Sequence, residues 1–356
     1  IAYHTYRLVQ RAKKVIFLVN SGSDGLNSSE ASRFLQQMEI ELSRYSGIQW
    51  RDFDLELKLD EKTIKSERSI YKHPLIIERT LQRLKEKGIS PSAGSTYIKN
   101  PYKYYLQYVL GIREEETHSD RLPANIRGNI LHDLHQHLYE YYKSNNNWDL
   151  SKIDKYINSS ISTHFPIQSD SGPFHLERKV IEKIGYDWSR EEGKRIKENN
   201  NEDSEWEVHL VEEYLESPLT LNNGNTVKIR GKADRVEKWK NYWVIIDLKT
   251  GAFKSDQINF KEWNDLLDSK KKKEKAFQLM IYAWLLSKQE KINPAIKFKA
   301  GISSMRHPSK PVAYIQWQKR DSLTFQELED FEKLVLIPLV EEILNPEVPF
   351  MDTLEI

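Results

Sequence analysis

The sequence has 356 residues and begins with isoleucine, which predicts two domains, or one large domain with additions, cut from within a longer protein. Its 54 Lys and Arg and 53 Asp and Glu give a net charge of +1, which argues against a uniformly basic nucleic-acid surface and against a long charged tail. The absence of cysteine excludes disulfides, thiolate zinc sites, cysteine-ligated iron–sulfur clusters and cysteine nucleophiles, and indicates a cytoplasmic protein.

The sequence pattern predicts that residues 1–88 form a small region before the main fold. Hydrophobic periodicity and turn residues place its elements. In chain order they are a short helix before residue 15, a buried strand at Val15–Val19, a helix from Ser28 to Glu41, a strand within residues 50–59, and a helix from Pro74 to Lys87.

The pattern of the remaining residues predicts several helices followed by a sheet. The apolar runs in the sequence are much shorter than the ~20 residues that a membrane-spanning helix needs. The helices are predicted from residue 91, at 126–142, within 150–198, at 274–287 and at 324–344. The strands are predicted at 207–221, 226–239, 242–250, 296–304 and 312–317. This order predicts an α/β (α+β) fold, a mixed central β-sheet flanked by helices.

The sharpest chemical signal is a pair of aspartates on a predicted β-hairpin. A symmetric turn at Lys240–Asn241 places Asp234 opposite Asp247, with Cβ atoms ~5 Å apart. Two like charges at that distance are destabilising unless a cation compensates them. Lys249 lies on the face of Asp247, because side chains alternate along a strand.

Two interpretations of these charges remain open. The carboxylates and a strand-end carbonyl suit a hard divalent cation, which activates water and neutralises charge on a phosphate, with Lys249 beside the reacting groups. The alternative is an exposed, ion-paired hairpin. The apolar run Trp243–Ile246 predicts that a buried strand leads into Asp247, and this speaks for the metal site.

His132 and His135 are three residues apart on one face of a predicted helix. His132 is a candidate metal ligand; the alternatives are a zinc pair with His135 and a structural histidine. The zinc pair lacks the His-Glu-x-x-His order of a zinc protease and has no cysteine partners.

Gln278 and Tyr282 are four residues apart on a largely apolar helix. A buried amide and a buried phenol need hydrogen-bond partners. One interpretation is that the two side chains contact the edge of an active site or the phosphate backbone of DNA. The alternative is that they form an ordinary hydrogen bond in the protein interior.

Five motifs occur in one order across residues 89–351. They are Ser90-Pro91-Ser92 with Asn100-Pro101-Tyr102-Lys103-Tyr104-Tyr105, Gly128-x-x-x-His132, Gly231-x-x-Asp234-Arg235, Asp247-Leu248-Lys249-Thr250-Gly251 and Gln278-x-x-x-Tyr282. In this combination the sequence resembles the RecB-like branch of the PD-(D/E)XK nuclease superfamily. The similarity is closest to the nuclease end of AddB-like helicase–nuclease subunits.

The resemblance implies a restriction-endonuclease-like core with helical additions, and a metal-dependent DNA exonuclease of recombinational repair. The implied ligands of Mg²⁺ or Mn²⁺ are His132, Asp234, Asp247 and the carbonyl of Leu248. The implied catalytic residues are Asp234, Asp247 and Lys249. The residues implied to bind DNA or support the site are Arg235, Gln278 and Tyr282.

The resemblance also implies a domain organisation and partners. Residues 1–88 resemble a remnant of a helicase-type domain, and residues 89–356 the nuclease domain, with a helical insertion at about 145–205. The chain lacks a Gly-x-x-x-x-Gly-Lys-[Ser/Thr] loop, so Arg11 does not make it an ATPase. The expected partners are single-stranded DNA ends and a helicase subunit, without a membrane.

The sequence departs from the family pattern at two points. Ala233 stands where the superfamily name has proline, which is common in this branch. Many AddB-like members carry a cysteine where this chain has Asn100 and three more after the last helix; here there are none, so no iron–sulfur cluster is supported. The alternative function is a non-catalytic DNA-binding or assembly module that retains the nuclease fold.

Overall fold

The computed structural model describes residues 12–17, 33–42, 68–112, 124–164, 173–200, 205–289 and 295–353, together with residues 7, 9, 10, 44, 47, 49, 51 and 293. The chain divides into two units, residues 1–65 and residues 66–356. Within the described residues, no helix has both the length and the apolar character needed to cross a membrane.

In the first unit, helix α1 spans Arg33–Leu42 and overlaps the helix that was predicted from Ser28 to Glu41. Residues 28–32 of that predicted helix lie outside the described residues. The predicted buried strand at Val15–Val19 is wrong for residues 15–17, which are irregular and exposed, Ile16 to 71%. An apolar run forms a strand only where a partner edge is available. Residues 18 and 19, and the strand predicted at 50–59 apart from residue 51, lie outside the described residues.

The helices of the second unit follow the predicted order, and two of them begin with a capping side chain that the sequence shows. Ser90 Oγ accepts a hydrogen bond from the backbone N–H of Ala93, and Thr324 forms a capping box with Glu327. The helices are α2 (Pro74–Glu86), α3 (Pro91–Lys99), α4 (Pro101–Tyr104, extended by a π-helical turn Tyr105–Leu110), α5 (Ala124–Asn145), α6 (Ile153–His164), α7 (Pro173–Asn199), α8 (Glu274–Ser287), α9 (Phe325–Phe331) and α10 (Ile337–Leu344), the last two joined by a π-helical turn Glu332–Leu336.

A five-stranded mixed sheet forms the centre of this unit, which confirms the predicted fold class. The strands are β1 (Ser69–Ile70), β2 (Glu207–Thr220), β3 (Thr226–Trp239), β4 (Tyr242–Lys249), β5 (Lys297–Ser304), β6 (Ala313–Tyr314) and β7 (Phe350–Met351). The strand order of the sheet is β2-β3-β4-β5-β6; β4 and β5 pair in parallel and the other neighbours are antiparallel. A separate two-stranded ribbon pairs β1 with β7.

Two hydrophobic cores lie on the two faces of the sheet. Helix α8 is buried on nearly every side and packs with Val236 and Ile245 in the first core. Helices α5, α6 and α7 pack with Ile246 and Leu248 in the second core. Because β4 alternates between the two cores, both of its faces are covered.

The hairpin β2–β3 changes face halfway along its length. Val211 belongs to the second core and Leu215 to the first, although residues four apart on a regular strand share a face. Ala233 and Val236 on β3 share the first core although they are three residues apart. Glu212 lies at this change with a left-handed backbone, φ 52°. The irregularity therefore falls beside Asp234.

Candidate metal centre

Asp234 lies directly beyond the last paired residues of the β3–β4 hairpin. The strands pair from Trp239–Tyr242 to Arg235–Ile246, which confirms the register predicted from the turn. One residue further on, Asp234 Oδ2 accepts a hydrogen bond from the backbone N–H of Leu248 at 2.6 Å. The carboxylate of Asp234 thus accepts a backbone N–H of the opposite strand at the point where the regular pairing of the two strands ends.

Asp247 and Lys249 form an ion pair on one face of β4, as predicted from the strand period. Lys249 Nζ lies 2.9 Å from Asp247 Oδ2, and Gln278 Oε1 lies 3.5 Å from the same Nζ. Gln278 Nε2 donates to Tyr282 Oη at 3.0 Å. The structure therefore joins Asp247, Lys249, Gln278 and Tyr282 in one row of polar contacts.

Gly231 explains how Tyr282 comes so close to the sheet. A Cβ atom at position 231 would lie 2.6 Å from Tyr282 Cε1, a distance that real Cβ atoms do not show. A residue without a side chain is needed for this close approach of ring and strand. The glycine of the third motif thus makes room for the tyrosine of the fifth.

A histidine and two acids from three elements form a second group. Ligand atoms of His132 on α5, Glu212 on β2 and Asp234 on β3 lie within 4.8 Å of one another. His132 Nδ1 is 2.7 Å from Glu212 Oε1 and 3.6 Å from Asp234 Oδ1. Sequence reasoning missed Glu212; its one visible signal is the pair Glu212–Glu213, which breaks the alternation of β2.

His135 is fully buried, and Glu212 is its polar partner too. Its Nδ1 lies 3.2 Å from Glu212 Oε1, and its ring packs against Tyr139 and Trp188. Burial lowers the pKa of His135 to about 4, so the ring is neutral near pH 7. These contacts are those of a structural histidine, and they do not favour the zinc pair of His132 with His135.

Asp234 and Asp247 repel each other, and burial adds to the cost of their charges. Burial first, and then the charge of Asp247, raises the pKa of Asp234 to about 7. Burial lowers the pKa of His132, but Asp234 and Glu212 outweigh it and raise that pKa to about 9. The charge of Asp247 likewise outweighs burial and raises the pKa of Lys249.

The donor atoms here fit a hard divalent cation. Carboxylate oxygens and an imidazole are ligands for such an ion. Asp247 Oδ2 is buried and makes no hydrogen bond, although Lys249 Nζ approaches it as an ion pair. A divalent charge near Asp234 and Asp247 would remove the repulsion that raises the pKa of Asp234.

Arg235 does not face DNA, because its side chain is only 1% exposed. It lies 2.9 Å from both Glu192 Oε1 on α7 and Glu237 Oε1, and 3.2 Å from Tyr139 Oη. Burial raises the pKa of Glu192, but the charges of Arg235 and Arg195 outweigh it and lower that pKa to about 2. Of its two suggested roles, Arg235 fits support: it ties the sheet to α7.

Curated relatives share part of this chain. An ATP-dependent helicase/deoxyribonuclease subunit of Streptococcus agalactiae serotype Ia is 27% identical over 180 residues, covering 48% of this chain and 15% of that protein. The protein of the same name from Streptococcus mutans serotype c is 31% identical over 181 residues, 49% of this chain and 15% of that protein. The exonuclease/helicase subunit RexB of Streptococcus pneumoniae serotype 4 is 28% identical over 167 residues, 45% of this chain and 15% of that protein.

The match thus spans about 15% of the length of these relatives. The family model of the PD-(D/E)XK nuclease superfamily matches residues 88–354. That range holds the whole mixed sheet, the aspartate hairpin, the lysine of β4 and the histidine of α5. The chain belongs to the PD-(D/E)XK nuclease superfamily.

Proposed function

We propose that residues 89–356 are the nuclease domain of a helicase–deoxyribonuclease subunit, that residues 1–88 are a remnant of its helicase-type domain, and that the chain hydrolyses DNA phosphodiester bonds with Mg²⁺ or Mn²⁺. The observation that carries the proposal is the group of Asp234, Asp247 and Lys249 where the β3–β4 ladder opens. Two repelling acids and a lysine at the end of a buried strand cost stability, which a site with a chemical task tolerates.

The residues proposed to hold the ion are His132, Asp234, Asp247 and the carbonyl of Leu248. When bound, such an ion lowers the pKa of a water molecule and neutralises developing charge on the phosphate. The Leu248 N–H fixes one oxygen of Asp234 by a hydrogen bond, so the orientation of this acid is set by the backbone of β4.

Lys249 is the donor proposed to face the reacting phosphate or the attacking water. Its side chain is 30% exposed, and the contact with Asp247 holds its ammonium at the open end of the hairpin. Gln278 donates to Tyr282 through Nε2, which turns its Oε1 towards Lys249. A donor held in place before the reaction stabilises developing charge better than a mobile one.

The proposed substrate is a single-stranded DNA end supplied by a helicase partner. The names of the relatives, helicase/deoxyribonuclease and exonuclease/helicase subunits, support this choice and the exonuclease action. Lys275 on α8 is a second lysine near Lys249: burial first, and then the charge of Lys249, lowers the pKa of Lys275. Both ammonium groups are proposed to contact the phosphate backbone.

Degradation of a 5′-labelled single-stranded oligonucleotide tests the proposal. We expect cleavage with Mg²⁺ or Mn²⁺, none with EDTA, and a rate about 100-fold lower in Lys249→Ala, since a preorganised donor is lost. Lys261→Ala removes an exposed lysine from the segment between β4 and α8 and should leave the rate unchanged.

Cleavage that persists in EDTA, or an unchanged rate in Lys249→Ala, would contradict the proposal. Salt-sensitive DNA binding without any cleavage would favour the non-catalytic DNA-binding module instead.

A further inference from the structure

Glu212 occupies an unusual place in the middle of β2. Its backbone has φ 52°, a left-handed value that strains a residue with a side chain. Its side chain is only 2% exposed, although it is a carboxylate. A strained backbone and a buried acid at one position indicate that the surrounding contacts hold this side chain for a purpose.

Both oxygens of Glu212 already have partners. Oε1 lies 2.7 Å from His132 Nδ1 and 3.2 Å from His135 Nδ1. Oε2 lies 2.8 Å from Lys232 Nζ, and Lys232 is the cross-strand neighbour of Tyr214 on the same hairpin. Three donors therefore converge on one carboxylate.

The contact between Glu212 and His132 has the geometry of a hydrogen bond. The 2.7 Å between His132 Nδ1 and Glu212 Oε1 is an ordinary hydrogen-bond distance. Both oxygens of Glu212 are thus engaged by donors of this chain, and the shortest of these contacts is the one with the ring of His132.

We propose that Glu212 is a positioning residue: it accepts the Nδ1–H of His132, fixes the ring and its tautomer, and so keeps Nε2 as the nitrogen available to the divalent cation. This inference rests on the proposed metal-dependent function. A carboxylate behind a ligating histidine orients the ring and strengthens its metal affinity. The left-handed turn at position 212 is what brings the acid to the histidine of α5.

Mn²⁺ binding to the full chain tests the role of Glu212. The EPR signal of free Mn²⁺ gives the Kd, including weak values. We expect Glu212→Gln to raise the Kd about 10- to 100-fold, since outer partners of metal ligands contribute that much. Glu213→Gln removes the same charge from the neighbouring exposed residue and should leave the Kd unchanged.

The outcomes separate this inference from the proposed function. If the unmodified chain binds no Mn²⁺, the proposed metal-dependent function is wrong, and so is the proposed role of Glu212. If the chain binds Mn²⁺ and Glu212→Gln binds it equally well, only the role of Glu212 is wrong. Glu212→Asp keeps the charge but shortens the reach, so it gives a second test, with a weaker Kd expected, if Glu212→Gln does not fold.

A double-mutant cycle distinguishes positioning from direct ligation. In a His132→Asn background, Glu212→Gln should change the Kd by less than about twofold, because Glu212 acts through the histidine. A further loss of about tenfold in that background would make Glu212 an independent ligand and overturn the inference.

Discussion

Asp247→Asn is expected to lower the rate of DNA degradation about 1,000-fold, because the amide cannot supply the charge that holds a divalent cation and Lys249. Asp247 is 2% exposed and lies two residues before the end of β4, a strand that is buried on both faces. Asparagine has nearly the same shape, so the fold should persist. Gel assays of labelled single-stranded DNA with saturating Mg²⁺ measure the effect.

The matched control for Asp247→Asn is Asp256→Asn. Asp256 is an exposed acid in the segment between β4 and α8 and lies outside the polar row of Asp247, Lys249, Gln278 and Tyr282. Its replacement should change the rate less than about twofold. A rate in Asp247→Asn within tenfold of that of the unmodified chain would rule out this acid as a catalytic residue.

Arg235→Met is expected to lower the free energy of unfolding by about 3 kcal/mol, because it removes one of the two guanidinium partners of two buried acids and leaves only Arg195. The guanidinium contacts Glu192 on α7 and Glu237 on its own strand, both buried. Glu237 Oε2 also accepts hydrogen bonds from the indoles of Trp206 and Trp239, each at 3.0 Å. Urea unfolding followed by tryptophan fluorescence measures the free energy of unfolding, and two of the nine tryptophans contact this cluster.

The matched control for Arg235→Met is Arg230→Met. Arg230 lies on the same strand β3 but is exposed, so its loss should cost less than about 0.5 kcal/mol. Equal stability of the two variants would contradict the structural role of Arg235 and revive a DNA-binding one.

Local rules account for much of the second unit. The turn at Lys240–Asn241 set the pairing of Trp239 with Tyr242, and every later pair of the hairpin follows from it. The apolar composition of Glu274–Ser287 predicted helix α8 with its observed ends. In both cases the determining interactions lie within a few residues along the chain.

Glu212 could not be predicted because its role depends on distant partners. His132 lies 80 residues away and Lys232 lies on the paired strand. The strand period assigns faces only while the backbone stays extended, and the left-handed Glu212 ends that regularity. The change of face was therefore visible only once the two cores were known.

For Arg235 and for the run at Val15, partners distant in the chain decide what the sequence left open or predicted wrongly. The resemblance implied that Arg235 binds DNA or supports the site, and its partner Glu192 lies 43 residues earlier in the chain. The run Val15–Phe17 is apolar enough for a strand, but these residues are exposed. Composition gives the preference for burial, and the tertiary partner decides the outcome.

Anomalous X-ray diffraction from crystals grown with Mn²⁺ is the most direct test of the metal centre. We expect one strong peak about 2.1 Å from carboxylate oxygens of both Asp234 and Asp247 and next to His132. A peak held by His132 and His135 without the two aspartates, or no peak at the aspartates at saturating Mn²⁺, would contradict the proposed site.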